Sequence, residues 1–539
     1  MTTADMIITA ATVHTLDGAS PVVRSVAISD GYIVAVGDQA DTRSWRGSST
    51  EVIDLGNATL TPGLIDGHIH PVTGLNLTYG TDLSGVRDLD ALRETLSRAS
   101  ESIDSDGWLR GWGLDPNVFG DLPVTHAPIV ETIGSSIPVF IEMFDAHSAL
   151  VSPEALRRAG ITGPREFVQH SRIICDDTGA PTGHLLEPAA MALVREILPR
   201  ESTQSRRIRL RAILDGMAAV GITAANAMDF EGDSSDLMFD LESDRDLPIH
   251  LRFAPFCLPG SDRATLDHII ELQSTRGRRW RVDGVKFMMD GTIDGGTAWL
   301  DEPDTHGEST APFWPDPAEY RRAAMYLAQH GVPIVTHAIG DAGVRYALDT
   351  LSRAALPPNG ARHRIEHIET LPDDLVHRFA EHGVVASMQP THCTHYTRAD
   401  HTDNWSTRLG PERAARAFRT RDIRDNGGTL ALGSDWPVAP YDPRAILADA
   451  QLRRPAGHPD IEPVCPKQSL SALMALEGYT THAATAAGQS ALTGRIAVGM
   501  RADLTAFTVD PLQAPPDELA DAPIALTLNT GRITYRHNG

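Results

Sequence analysis

The chain has 539 residues, 41% of them hydrophobic and 22% charged, enough apolar surface for a sizeable folded core and too much for a disordered chain. Against 71 acidic residues there are 47 basic ones, and the net charge of −24 argues against nucleic acid or an anionic membrane surface as partner. No apolar run approaches the roughly 18 residues of a membrane span. Met-Thr-Thr-Ala-Asp at the start lacks the basic stretch of a secretory signal. Cys175, Cys257, Cys393 and Cys465 are spaced for neither a disulfide framework nor a zinc finger, so a reducing, cytoplasmic setting is expected.

In chain order, residues 6–16 and 22–36 alternate like strands, and Asp30-Gly31 breaks the second into a hairpin. Residues 63–69 open a long middle region in which short apolar strands alternate with helical stretches, the pattern of a (β/α) barrel. The other strand candidates are 221–228, 250–256, 284–289, 332–337, 363–368, 384–389 and 429–434. Between them lie helices such as 316–330, where Asp316-Pro317 supplies an N-cap and a proline at the first helical position. About 150 residues separate the first two strands, far more than a βα connection needs. An inserted subdomain at about 75–205 is the economical reading, with its own strand-like run at 138–144. Residues 503–509, 524–528 and 532–536 return to β character. The expectation is an α/β chain: a distorted (β/α)₈ TIM barrel over 59–490, and a β-sandwich built from both termini, 1–58 and 491–539.

His68-Ile69-His70 ends the first strand, and side chains at i and i+2 share a face, so both imidazoles can point at one ion. His337, His367 and Asp435 follow other strands in the same way, at the end where barrel enzymes do chemistry. A lone histidine there is more often structural; four with an aspartate form a plausible zinc-ligand set. Of the 47 basic residues 45 are Arg, and the two lysines are Lys286 and Lys467. A G+C-rich genome accounts for the bias, yet Lys286 lies inside an apolar strand. It needs a buried carboxylate partner, or serves as a base or nucleophile, or adds carbon dioxide to become a carbamate that bridges two metals.

From about residue 5 to 537 the sequence resembles the amidohydrolase superfamily, specifically its amidohydrolase-3, or YtcJ-like, branch. The motifs are 63–70 (GLIDGHIH), 221–223 (GIT), 286–291 (KFMMDG), 337–341 (HAIGD), 364–367 (RIEH), 387–390 (SMQP), 433–437 (GSDWP) and 499–504 (GMRADL). The resemblance implies one or two divalent ions, Zn2+ by expectation, with ligands His68, His70, carboxylated Lys286, His337, His367 and Asp435. It also implies hydrolysis of an amide-type C–N bond in a small molecule, with metal-activated water as nucleophile and Asp435 as catalytic base. A mononuclear deaminase of a cyclic amidine, without the carbamate, is the rival enzyme reading. A scaffold relative stripped of its metals is disfavoured because the ligands are all present.

Around this set, Asp341 either orients His337 or caps the following helix. His392 is a candidate substrate contact, and the stretch 392–395 (HCTH) reads as loop. His147 sits in an insertion motif that departs from the family pattern at Ser152, and 182–187 (TGHLLE) matches another insertion motif of unclear role. Trp112 and Trp436, with Trp108 and Trp299, are candidates to line an apolar pocket. A homodimer is the commonest assembly for such chains.

Overall fold

A computed structural model describes residues 3–103, 107–167 and 171–537. The fold is α/β and TIM-barrel-like, with mixed sheets. Two parallel sheets supply the inner strands, in the order Trp280–Val282, His250–Phe253, Ile222–Ala227, Leu64–Ile69 and in the order Val285–Met288, Ile334–Ala338, Arg364–His367, Val385–Met388, Leu430–Leu432. Parallel bridges between Phe256 and Lys286 and between Ile69 and Trp436 join them into a ring. All eight strands expected in the middle region occur. The fourth is broken: 280–282 pairs with strand three and 285–288 with strand five, and the break falls at Asp283-Gly284.

Every residue of strands one, two, five, six, seven and eight is buried, as parallel strands covered on both faces require. Helix Pro317–Gln329 shows the outer layer's logic. Asp316 accepts from the Ala318 amide at 3.0 Å, and Tyr320, Ala323, Ala324, Leu327 and Ala328 form its single buried stripe.

The terminal strands form one mixed eight-stranded sheet, in which the three C-terminal strands join the block of N-terminal ones where Leu504–Phe507 pairs with Thr59–Pro62. The Asp30-Gly31 turn has both central residues at positive φ, 51° and 80°, as a two-residue hairpin loop demands. A Cβ placed on Gly31 would lie 2.8 Å from Thr530, so this tip meets the C-terminal hairpin tip and the sheet curls on itself. Between strands one and two a separate six-stranded sheet runs from Thr81–Asp82 to Arg172–Cys175, around a core that includes Leu92, Leu109, Ile129 and Ile141. No helix among the described residues is long and apolar enough to cross a membrane.

Candidate metal centre

His68, His70 and Asp435 meet where strands one and eight end. His68 Nε2 to His70 Nε2, His68 Nε2 to Asp435 Oδ1 and His70 Nε2 to Asp435 Oδ1 are each 3.2 Å. A tetrahedral zinc with bonds of roughly 2.0–2.1 Å has ligand–ligand edges of roughly 3.3–3.4 Å, so the triangle matches one face of such a site. Lys286 Nζ stands 3.4 Å from His68 Nε2. Asp435 Oδ1 is buried without a hydrogen-bond donor, an arrangement costly unless a cation satisfies it.

The protein fixes which ring nitrogen faces inward. His68 Nδ1 donates to Glu366 at 2.6 Å, leaving the Nε2 lone pair for the centre. Glu366 is held in turn by Arg364 at 2.8 Å, both side chains fully buried, and Arg364 also donates to the Gly67 carbonyl at 3.1 Å. His367 Nδ1 donates to Gln389 Oε1 at 2.8 Å, and His337 Nε2 donates to the Gly291 carbonyl at 3.2 Å. The rings of His337 and His367 lie 4.5 Å apart, and His367 lies 4.9 Å from His68. Burial, reinforced by neighbouring cations, holds His68, His337 and His367 well below the usual imidazole value, hence neutral and able to donate a lone pair. Burial opposes ionisation of Asp435, but the His70 ring 3.2 Å away, with His392 and Lys286, holds it below the ordinary carboxylate range. Burial lowers Lys286 to about 8.

The backbone is strained at the same place. His367 and Asp435 have φ of 75° and 58°, a left-handed conformation costing non-glycine residues about 1–3 kcal/mol each. Asp66 ties the strand ends together by accepting from the His68 and Ser434 amides, both at 3.0 Å. Burial raises its carboxyl to about 7.

The ligand triangle opens into a cavity of about 230 Å³ whose wall includes His147, His392, Phe144, Ile339 and Trp405. His392 Nε2 lies 3.6 Å from Asp435 Oδ2 and has no hydrogen-bond partner. The stretch around it is a helix, Pro390–Tyr396, and not a loop, because Pro390 supplies a first helical residue that needs no donor. His147 Nδ1 donates to Glu187 at 2.9 Å and its ring lies 5.5 Å from His337, so the TGHLLE motif supplies the residue that orients it. Although burial works against it, the Glu187 and Asp145 carboxylates push His147 up to about 9. Ser152 is a helix cap, accepting from the Ala155 amide at 3.3 Å.

The tryptophans divide differently from expectation. Trp112 and Trp436 line an adjoining cavity of about 1150 Å³ that shares Phe144, Tyr396, Pro437 and Val438 with the first. Trp108 packs in the core of the inserted region and Trp299 against Tyr346, so neither lines either cavity. Asp341 neither caps its helix, whose N-cap is Gly340, nor reaches His337; it accepts from the Asp301 amide at 2.7 Å. The carboxylate beside His337 is Asp290, 3.7 Å away, which also accepts from the Trp299, Ile339 and Gly340 amides. Asp66, Glu366 and Asp290 lie inside the motifs 63–70, 364–367 and 286–291, and a carboxylate in so apolar a strand was the available signal.

A family model described as "Amidohydrolase family" matches residues 51–535. The chain is 26% identical over 520 residues to "Putative amidohydrolase YtcJ" of Bacillus subtilis, covering 95% of this chain and 96% of that protein. It is 24% identical over 552 residues to "N-substituted formamide deformylase" of Arthrobacter pascens, covering 99% of each. Among solved structures, an uncharacterized metal-dependent hydrolase from Pyrococcus horikoshii superposes with a TM-score of 0.71 at 22% identity, over 95% of this chain and 99% of that one, a likeness of fold.

Proposed function

Since the chain belongs to the amidohydrolase family, metal-dependent hydrolases acting on carbon–nitrogen bonds, we propose that it hydrolyses an amide-type C–N bond such as that of an N-acyl amine or an N-substituted formamide. The observation that carries this reading is the 3.2 Å triangle of His68 Nε2, His70 Nε2 and Asp435 Oδ1, a face of the size that zinc requires. In this proposal these three hold one divalent ion, and His337, His367 and a carboxylated Lys286 hold a second. When bound, such an ion supplies Lewis acidity towards a carbonyl oxygen and brings the pKa of a water from 15.7 to roughly 7.

The chain's own residues do the rest. Asp435, ionised and already at the centre, accepts the proton of the attacking water and passes it to the departing nitrogen. Glu366 keeps His68 in the one tautomer that faces the ion. His392 and His147 border the cavity and present polar groups to the acyl side of the substrate. The cavity is small and suits a formyl or short acyl group, while the larger adjoining space beside Trp112 and Trp436 takes the N-substituent. The Arthrobacter relative's name carries the formamide class.

Burial favours the free amine of Lys286, which is the form that reacts with carbon dioxide. A nitrogen–carbon bond forms, one N–H proton is released, and the product is a carboxylate-ended side chain. Protein purified without chelators should contain at least one equivalent of zinc or a related ion and hydrolyse members of a panel of N-acyl and N-formyl amines. Less than about half an equivalent of metal, with hydrolysis indifferent to chelator, overturns the reading. Intact mass under native conditions reads the carbamate as one added carbon dioxide. Its absence, with Lys286→Ala still binding metal, favours a mononuclear centre and the cyclic-amidine deaminase.

A further inference from the structure

A second polar cavity, also about 230 Å³, lies beside the first residues of strand three. Its wall includes Arg252, Arg276, Arg278, Arg279, Arg281 and Arg501, with Asn226 and His250, and no acidic residue lines it. Chain elements far apart in sequence build it. Asn226 and Arg252 come from neighbouring inner strands, residues 276–281 from the turn into the broken fourth strand, and Arg501 from the terminal sheet.

The charges are not balanced from behind. Asp283 lies 3.2 Å from Arg252 and 2.7 Å from Arg281. Asp246 serves Arg278 at 2.5 Å, Arg279 at 3.8 Å and also Arg532 at 2.6 Å, and Asp503 serves Arg501 at 2.5 Å. Arg276 is paired to no carboxylate among the described residues. Three carboxylates thus form ion pairs with these six arginines, and Glu242, which accepts from the Arg278 and Arg279 amides at 2.7 Å, is the fourth acidic group beside them, in a protein whose net charge is −24.

Donors also stand unused. Arg252 is 4% exposed and Asn226 1%, and neither Arg252 Nη2 nor Asn226 Nδ2 has a hydrogen-bond partner; Arg281 Nε and Arg501 Nη2 are likewise unpartnered. Leaving buried donors of this kind unmatched is costly. Burial lowers Arg281 from the ordinary arginine value, Asp283 opposes this, and the neighbouring Arg252 and Arg501 add to the lowering.

We propose that this cavity is a binding site for a small, multiply charged oxyanion, a phosphate or a dicarboxylate, gripped by the Arg252, Arg276, Arg281 and Arg501 guanidiniums and the Asn226 amide. Guanidinium forks match both oxyanion types bidentately, which is why the shared chemistry is what the wall specifies. No residue proposed to hold the metal or to border the substrate lines this cavity.

Calorimetry of the metal-loaded protein with inorganic phosphate and, separately, with succinate tests it, at ionic strength held constant with sodium chloride. The expected result is saturable one-to-one binding of at least one of them, with a rise in melting temperature. Whichever binds assigns the phosphoryl or the carboxylate arm. Arg276→Gln and Arg281→Gln, both at partly or fully exposed positions whose replacement leaves the core intact, should each weaken binding about tenfold, the loss of one charge-assisted contact. No saturable heat from either anion overturns the proposal. So does binding that keeps wild-type affinity in both variants, since that is the behaviour of an anion seated at the metal centre.

Discussion

Glu366 is the residue on which the proposed metal centre turns, although it is not among the proposed ligands. Its two oxygens face His68 Nδ1 at 2.6 Å and Arg364 Nε at 2.8 Å, with no solvent exposure at either partner. The carboxylate selects the His68 tautomer and raises its basicity, and although burial raises the pKa of Glu366, the buried Arg364 guanidinium opposes that rise. Glu366→Gln retains the shape and an acceptor for His68 but removes the charge. Metal affinity should fall about 10–100-fold, the usual effect of losing a carboxylate behind a ligand histidine. Competition with a chromophoric chelator measures it, and circular dichroism checks that the fold survives. Unchanged affinity would mean that the Nδ1 contact merely fills space. The histidines proposed as ligands were legible in the sequence because each falls at the end of an expected strand. Glu366 was harder to single out, because a carboxylate one residue before a ligand looks like its solvent-side neighbour until the ring of strands closes around it.

At the scale of elements, strands one and eight must approach closely for His68 and Asp435 to share a centre. Gly433 makes that approach possible. A Cβ there would lie 2.5 Å from the His68 amide nitrogen and 2.9 Å from Asp66 Oδ1, distances no side chain tolerates. Gly433→Ala should push the strand ends apart, costing about 1–3 kcal/mol of stability as an overpacked contact does. It should also lower metal content, since the triangle opens while its ligands remain. Denaturant unfolding and metal analysis on the same preparation read both effects. Loss of stability with full metal content would place the strain away from the ligands. The eight strands were visible as apolar runs bounded by turns, and GSDWP marked the end of the last one. The break at Asp283-Gly284 was not visible, because pairing to two different neighbours is decided by the curvature of the closed sheet and not by local pattern. The stretch 392–395 reads as loop yet lies inside the helix Pro390–Tyr396 for a related reason. Its histidines and threonines have modest helix propensity, and burial of Pro390, Thr391, His392, Cys393 and Thr394 overrides it.

Across the whole molecule, the curled terminal sheet clamps the start of the barrel. The Gly63 amide donates to the Asp503 carbonyl at 2.8 Å, Thr505 Oγ1 to the Gly221 carbonyl at 2.6 Å, and Asn529 Nδ2 to the Thr223 carbonyl at 2.7 Å. Both β-rich ends were legible in the sequence, but these cross-links join residues more than 250 positions apart and no local signal announces them. Asp503 is the charged member of the clamp: its side chain accepts from the Thr530 amide at 2.8 Å and pairs with Arg501 at 2.5 Å. Burial would raise its carboxyl, yet Arg501, His250 and the Thr530 amide together hold it below the ordinary value. A carboxyl depressed in the folded state contributes stability that is fully present above its unfolded value of about 3.9 and is lost as pH falls through the folded value. Asp503→Asn strands Arg501 without its partner and should cost about 3 kcal/mol near pH 6. As the pH drops below about 4 the wild type loses the same contribution, so the gap between the two proteins should narrow. Urea midpoints measured for both proteins at pH 6 and again near pH 3.5 test this. A gap that stays constant with pH would show that the clamp depends on the side chain's hydrogen-bonding shape and not on its charge.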